Sequence, residues 1–419
     1  MKITQTASID SAPSTVAQVL HLSVIVAALG YFVDIYDLLL FGIVRVPSLR
    51  DLGVPQAELL KQGLFLLNMQ MGGMLLGGLI WGVLGDKRGR LSVLFGSILL
   101  YSLANLANAA VTSVPIYGVL RFIAGVGLAG ELGAAVTLVS ETLHTSKRGY
   151  GTALIAGIGI LGAIFAWFVA DMTNWRTAYV LGGVLGLGLL LLRVRVTESG
   201  MFTQLDRRKR DVRQGDLTLL FGSRERIKRY LACIFVGVPV WTVIGVLITF
   251  APEFAAEMGV KGTVTAGSAI AFCYGGTSVG GVVAGGLSQY WMSRKRALFV
   301  FLAITAALVP VYLSCTGVSA GFLDFIFVLL GFGAGYWSVF MTISAEQFGT
   351  NLRATVATTV PNFVRGSVVP VTAVFQLLRH QLNLRQSAGV VALVVFVLAF
   401  MAAASLEESS HKDLNYLEM

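Results

Sequence analysis

The chain has 419 residues, of which 56% are hydrophobic and 13% charged, with a mean hydropathy of +0.78. A soluble globular chain carries about 25% charged residues, so this composition excludes an ordinary water-soluble domain. The formal charge of +9 would suit a nucleic-acid binder, but its distribution excludes that class too. About 22 of the 31 Lys and Arg residues fall in the N-terminus, the even-numbered loops and the tail, the asymmetry that fixes membrane topology.

About 20 apolar residues suffice to cross a bilayer, and twelve such runs occur, at 17–46, 62–84, 91–111, 115–142, 150–171, 177–195, 230–251, 264–291, 297–317, 321–346, 354–378 and 385–405. Their arrangement repeats. Gly72–Arg90 (GGMLLGGLIWGVLGDKRGR) returns in weaker form as Gly280–Arg296 (GGVVAGGLSQYWMSRKR), and Ser140–Gly149 returns as Ala345–Ala354, each with a Glu seven residues before an Arg. Two matches at nearly one offset imply two similar halves in the same order. The expected fold is an all-α membrane protein of twelve helices in two pseudo-symmetric six-helix bundles. Its parts are an N-terminal bundle (1–195), a cytoplasmic central loop (196–229), a C-terminal bundle (230–405) and a tail (406–419). An even span count and the positive loops place both termini in the cytoplasm. The 48 glycines, many paired, let membrane helices approach closely.

Span one contains GYFVDIYDLLLFGIVR, with Asp34 and Asp37 three residues apart and so on one helical face. A carboxylate at that depth costs a few kcal/mol and faces a cavity or a partner. No small-residue cleavage site follows span one, which is expected to be retained. Span four carries Arg121, Glu131 and, at its cytoplasmic end, Glu141. Running opposite to span one, it brings Arg121 to within about two turns of the depth of Asp34 and Asp37. Such a couple is a proton switch: beside the guanidinium the carboxylate stays ionised, and separated from it in a dry cavity it takes up a proton. Glu131 is either a second protonatable group or a hydrogen-bond acceptor for a neighbouring helix.

Between spans two and three stands Gly85-Asp86-Lys87-Arg88-Gly89-Arg90, and span four contains Arg121-Phe-Ile-Ala-Gly125-Val-Gly127. Together these resemble the cytoplasmic-loop signature and the RxxxGxG motif of the major facilitator superfamily, and the likeness extends over the whole chain through the spans and the repeat. VDIYD, RFIAGVGLAGE and the run Glu198–Phe202 resemble its metabolite:proton symporter and sugar-porter branches, though Gly200 stands where those carry a proline. The resemblance implies a proton site at Asp37 with Arg121 as partner, and a cytoplasmic latch of Gly85, Asp86, Arg90, Glu141, Arg148, Glu346 and Arg353 that breaks as the halves rock. The second-half loop Ser293-Arg-Lys-Arg296 lacks the acidic residue, so the two latches are unequal. Span five carries no Gly-Pro pair, unlike the drug:proton antiporter branch.

The loop 196–229 holds runs of basic residues suited to an inner membrane surface. In the second half, Trp241, Tyr274, Tyr336 and Trp337 lie near mid-membrane, where aromatics serve packing or ligand contact. Arg365 lies about twelve residues into span eleven, between Pro361 and Pro370, where a cation needs an anionic partner, water or an anionic substrate. The three cysteines, one to a span, read as packing. With four histidines, no Cys-His pair and no GxSxG, enzyme chemistry is not expected.

The resulting expectation is a monomeric secondary transporter of the inner membrane, without cofactor, metal or nucleic acid. It would couple protons (Asp34, Asp37, Arg121, Glu131) to uptake of a small organic acid or zwitterion held by Arg365, Trp241, Tyr274, Tyr336 and Trp337. Proton-driven export of a metabolite, drug or siderophore is the alternative.

Overall fold

A computed structural model describes residues 22–88, 90–131, 148–198, 217–410, 416 and 418. The described residues are almost entirely helical, and each expected span coincides with a helix. In chain order these are α1 (Leu22–Asp51), α2 (Leu59–Arg88), α3 (Arg90–Asn108), α4 (Val114–Leu128), α5 (Arg148–Met172) and α6 (Trp175–Glu198). The second half continues with α7 (Arg224–Ile248), α8 (Ala266–Tyr290), α9 (Arg294–Leu313), α10 (Ala320–Glu346), α11 (Thr350–Gly366, then Val368–Leu378) and α12 (Leu384–Ser405). Seven of them are long and apolar enough to cross a membrane by themselves, and shorter apolar helices accompany them.

Local chemistry sets the ends. Thr265, Ser319 and Asn383 cap α8, α10 and α12 by accepting the backbone N–H three residues on, and Asn383 forms a full capping box with Gln386. Among the described residues, three helix interiors are also irregular. α7 passes Pro239 and then widens into a π-helical turn over Val243–Ile248, α10 loosens at Gly335–Tyr336 and α11 at Ser367. Such breaks inside a membrane are tolerated where protein or a cavity surrounds them.

The internal repeat is visible as packing. Within the first half α1 packs on α5 and α6, α2 on α4, and α3 on α4 and α6; the second half repeats each pairing six helices later. Glycines make the tightest of these contacts possible. A Cβ at Gly73 or Gly125 would run into the carbonyl of Phe122 or Gln70, fusing α2 to α4. In the second half, Gly280 and Gly331 meet the carbonyls of Phe332 and Cys273 in the same way. The halves meet along α2 with α11 and, by the same symmetry, α8 with α5. α7 is the most enclosed of the seven spans, with 89% of its apolar window buried, against 39% for α6, α8 and α9. Large apolar side chains such as Leu191, Val282 and Leu393 are exposed on the outside, as lipid contact requires. Cys233, Cys273 and Cys315 are buried free thiols.

Candidate functional site

Asp34, Asp37 and Arg121 of the first half and Arg365 of the second are each at most 1% exposed. Among the described residues, neither oxygen of either aspartate has a hydrogen-bond partner, nor has any nitrogen of Arg121, nor Nε and Nη1 of Arg365. Four bare charges in a dry interior are costly unless they balance one another or receive ligands.

Their placement divides them into two couples. Asp37 points into the first half, where Gly182 of α6 leaves room; a Cβ there would overlap its Oδ1. Arg121 is the cation acting most strongly on it. The Arg121 guanidinium lies 5.2 Å from the Phe41 ring and 5.6 Å from that of Tyr179, and the hydroxyl of Tyr179 shares a 2.6 Å hydrogen bond with that of Tyr117. The two groups are in electrostatic range without a direct ion pair. Asp34 behaves differently. The strongest charge on it is Arg365, from the other half. Arg365 in turn stands 5.7 Å from the Trp241 ring, and acts on Tyr31 and Tyr274 as well. Asp34, Tyr31, Tyr274 and Arg365 are therefore linked electrostatically across the halves, with the Trp241 ring beside the guanidinium; this is the cross-half cluster.

Glu131 is engaged. It accepts two hydrogen bonds from Arg193 of α6, one at 3.0 Å (Nη1 to Oε2) and a shorter one from Nη2 to Oε1. Gly30 of α1 lies against this pair so closely that a Cβ would overlap both partners. The sequence analysis did not single out Arg193; the need of Glu131 for a counter-ion was the signal that could have found it.

The other expected residues take separate places. Tyr336 is buried with its hydroxyl donated to the carbonyl of Val236, 3.0 Å away, and half-buried Trp337 packs on Phe340 with ring centres 4.9 Å apart. Of the latch, Gly85, Asp86, Arg90 and Arg148 stand on helix ends whose side chains are outside the described set, and Glu141 lies outside the described residues altogether. In the second half Glu346 accepts from Arg294 Nε at 3.4 Å and from the Ser409 hydroxyl at 2.6 Å, while Arg353 donates to the carbonyl of Phe348. The acidic group missing from the loop Ser293–Arg296 comes from the tail. Glu408 accepts from the backbone N–H groups of Arg294 (2.9 Å) and Lys295 (3.2 Å) at the start of α9. Burial would raise its pKa, but the Ser293 hydroxyl and the backbone donors outweigh that and hold the carboxyl below its usual range.

The sequence and the fold both have relatives among known proteins. Residues 27–373 match the family model described as Major Facilitator Superfamily. A putative niacin/nicotinamide transporter, NiaP, of Bacillus subtilis (strain 168) is 30% identical over 302 residues, 70% of this chain and 73% of that protein. A 3-(3-hydroxy-phenyl)propionate transporter of Escherichia coli (strain K12) is 29% identical, over 71% of this chain and 74% of its own length. The proton:xylose symporter XylE, solved with 6-bromo-6-deoxy-D-glucose, shares the fold with a TM-score of 0.70 at 16% identity, covering 96% of this chain and 98% of that one. The chain belongs to the Major Facilitator Superfamily. It is a multi-pass membrane transporter of small molecules, not an enzyme.

Proposed function

We propose that this transporter carries a small aromatic monocarboxylate together with a proton, by uptake, with Arg365 receiving the carboxylate and Asp34 the proton. The observation that carries this reading is the cross-half cluster itself: a fully buried guanidinium whose Nε and Nη1 have no hydrogen-bond partner among the described residues, beside the Trp241 ring, with Asp34 as the carboxylate on which it acts most strongly. With the site empty, the ionised Asp34 offsets Arg365. A substrate carboxylate arriving on Arg365 takes over that role, and Asp34, now beside two competing anions for one cation, accepts a proton. Anion and proton thus bind as a neutral pair, and the loaded site can cross between faces without carrying net charge through the dry interior. The aromatic rings suit a planar cargo. The relatives named for niacin and for 3-(3-hydroxy-phenyl)propionate, both aromatic acids, support that class, and the fold shared with a proton symporter supports the coupling.

Asp37 and Arg121 form the second acid–base couple, which holds and relays the proton within the first half, with the Glu131–Arg193 pair fixing α1 behind them. Tyr336 and Trp337 shape the second-half wall. The halves 1–195 and 230–405 rock about this site, joined by a cytoplasmic loop at 196–229 and followed by the tail 406–419. The cytoplasmic latch of Gly85, Asp86, Arg90, Glu141, Arg148, Glu346 and Arg353 closes the inner face. The protein works as a monomer in the inner membrane with both termini in the cytoplasm.

The test is flux in proteoliposomes under an imposed pH gradient, with radiolabelled nicotinate and 3-(3-hydroxyphenyl)propionate as probes. Accumulation of either probe in an alkaline lumen supports symport. Accumulation only in an acidic lumen would replace this reading with proton-driven export, and a gradient-insensitive flux would remove the proton from the cycle.

A further inference from the structure

A second cross-half charge cluster lies at the face where α1 and α7 end. Arg45 of α1 is completely buried and grips Glu253 with both terminal nitrogens, Nη1 to Oε1 at 2.6 Å and Nη2 to Oε2 at 2.8 Å. Nη2 also donates to the carbonyl of Thr249 at 3.2 Å. That carbonyl is available because the helix breaks there. After the π-helical turn the backbone N–H of Glu253 bonds the carbonyl of Phe250 instead, and Pro252 has no N–H to offer. The Phe250 ring supports the guanidinium at 4.3 Å. On the other side Gly63 of α2 makes the space, since a Cβ there would stand 2.7 Å from Arg45 Cδ. A helix break, a ring, a glycine and a carboxylate from both halves thus converge on one side chain.

We propose that the Arg45–Glu253 clamp is the gate of this face: it holds the two halves together here and must break for cargo to pass. The exposure is graded, with the Glu253 side chain at 19% and that of Arg45 at 0%. The carboxylate therefore sits on the water side and covers the cation, and opening begins with the short helix Ala251–Glu257 swinging away. Beneath the clamp the halves approach closely at Gly42, beside Thr249 and Ile270, and at Gly267, beside Ile43 and Trp167, and no second ion pair among the described residues joins the halves at this face. In the open form water floods both charges, so loss of the pair costs little there. In the closed form loss of either partner leaves a buried charge alone. Removing one partner accordingly weakens the closed form and spares the open one. The inference rests on membership of the transporter family alone and holds whatever the cargo or coupling ion.

Hydrogen–deuterium exchange of the full-length protein in nanodiscs, without substrate, reads the gate directly. In Glu253→Gln the amides of 266–272 and 163–170 should exchange at least about tenfold faster than in the parent, while those of 345–353 at the opposite face slow, because opening one face closes the other. Arg45→Lys, which keeps the charge but loses the two-pronged grip, should give the same reciprocal change at smaller size. Faster exchange confined to 245–258 would mean local fraying and would overturn the proposal, as would unchanged exchange. If Glu253→Gln fails to fold, Glu253→Asp, which keeps the charge but shortens the reach, carries the same test with the same outcomes.

Discussion

Replacing Arg365 with alanine isolates the step on which substrate recognition depends. Arg365 is enclosed, and its Nε and Nη1 have no hydrogen-bond partner among the described residues, so nearly all that it offers a bound carboxylate is new interaction. Two charge-assisted hydrogen bonds are each worth about 1.5–3 kcal/mol, and stripping water from the incoming anion takes back part of that sum. The contact with Trp241 at 5.7 Å is present with or without substrate and cancels. A net loss of about 3 kcal/mol remains, which at about 1.4 kcal/mol per decade is a hundredfold or more in Kd. Arg365→Lys keeps the charge but not the planar fork, and should lose about tenfold. The fold should survive both changes: Arg365→Lys keeps the charge, and in Arg365→Ala the carboxylate left without its cation, Asp34, can take up a proton. Isothermal titration of the purified variants with nicotinate and 3-(3-hydroxyphenyl)propionate measures this. A Kd within threefold of the parent in Arg365→Ala, for a probe the parent binds, would refute the reasoning.

Further expectations follow from the remaining charges. Asp37→Asn should abolish accumulation driven by a pH gradient yet leave counterflow exchange of preloaded substrate; accumulation at the parent level would remove Asp37 from the proton path. Arg193→Met strands Glu131, which is fully buried, and should cost about 3–5 kcal/mol in thermal unfolding. Adding Glu131→Gln should recover most of that loss, and equal loss in the single and double variants would show that the pair is not the cause. Glu408 has its carboxyl held below its usual value of 4.5, so its stabilising contribution is present above that pH and fades as pH falls through the lower folded value. Glu408→Gln should therefore lower Tm at pH 7, and the gap from the parent should close as pH drops below about 4.5; a constant gap would mean the effect is steric.

The helices were legible because each is specified by its own stretch of sequence. Hydropathy over about 20 residues suffices to mark a span, and the double repeat around Gly72–Arg90 and Gly280–Arg296 announced the two-bundle plan. That Asp34, Asp37, Arg121 and Arg365 would be buried was equally readable, since charges so deep in apolar runs have few other places to go. Their pairing was not. Depth along α1 and α4 suggested that both aspartates face Arg121, but depth does not fix which neighbour each meets: Asp37 lies against Gly182 of α6, while the strongest charge on Asp34 is Arg365 of the other half. Arg45 and Glu253 read as loop-end charges because their meeting depends on the crossing of α1 and α7 from different halves, some two hundred residues apart. The π-helical turn that frees the Thr249 carbonyl has no clear local signature beyond Gly245 and Pro252. The role of the tail in capping α9 is a similar case: nothing near Glu408 in sequence points to Ser293.

The central claim is that substrate and proton exchange places around Arg365. Its most direct measurement is the proton count of binding, from titration calorimetry of nicotinate or 3-(3-hydroxyphenyl)propionate in buffers of different ionisation enthalpy. The parent should take up close to one proton per carboxylate bound, and Asp34→Asn should bind the same probe with no proton uptake. Binding without proton uptake in the parent, or undiminished uptake in Asp34→Asn, would contradict the account.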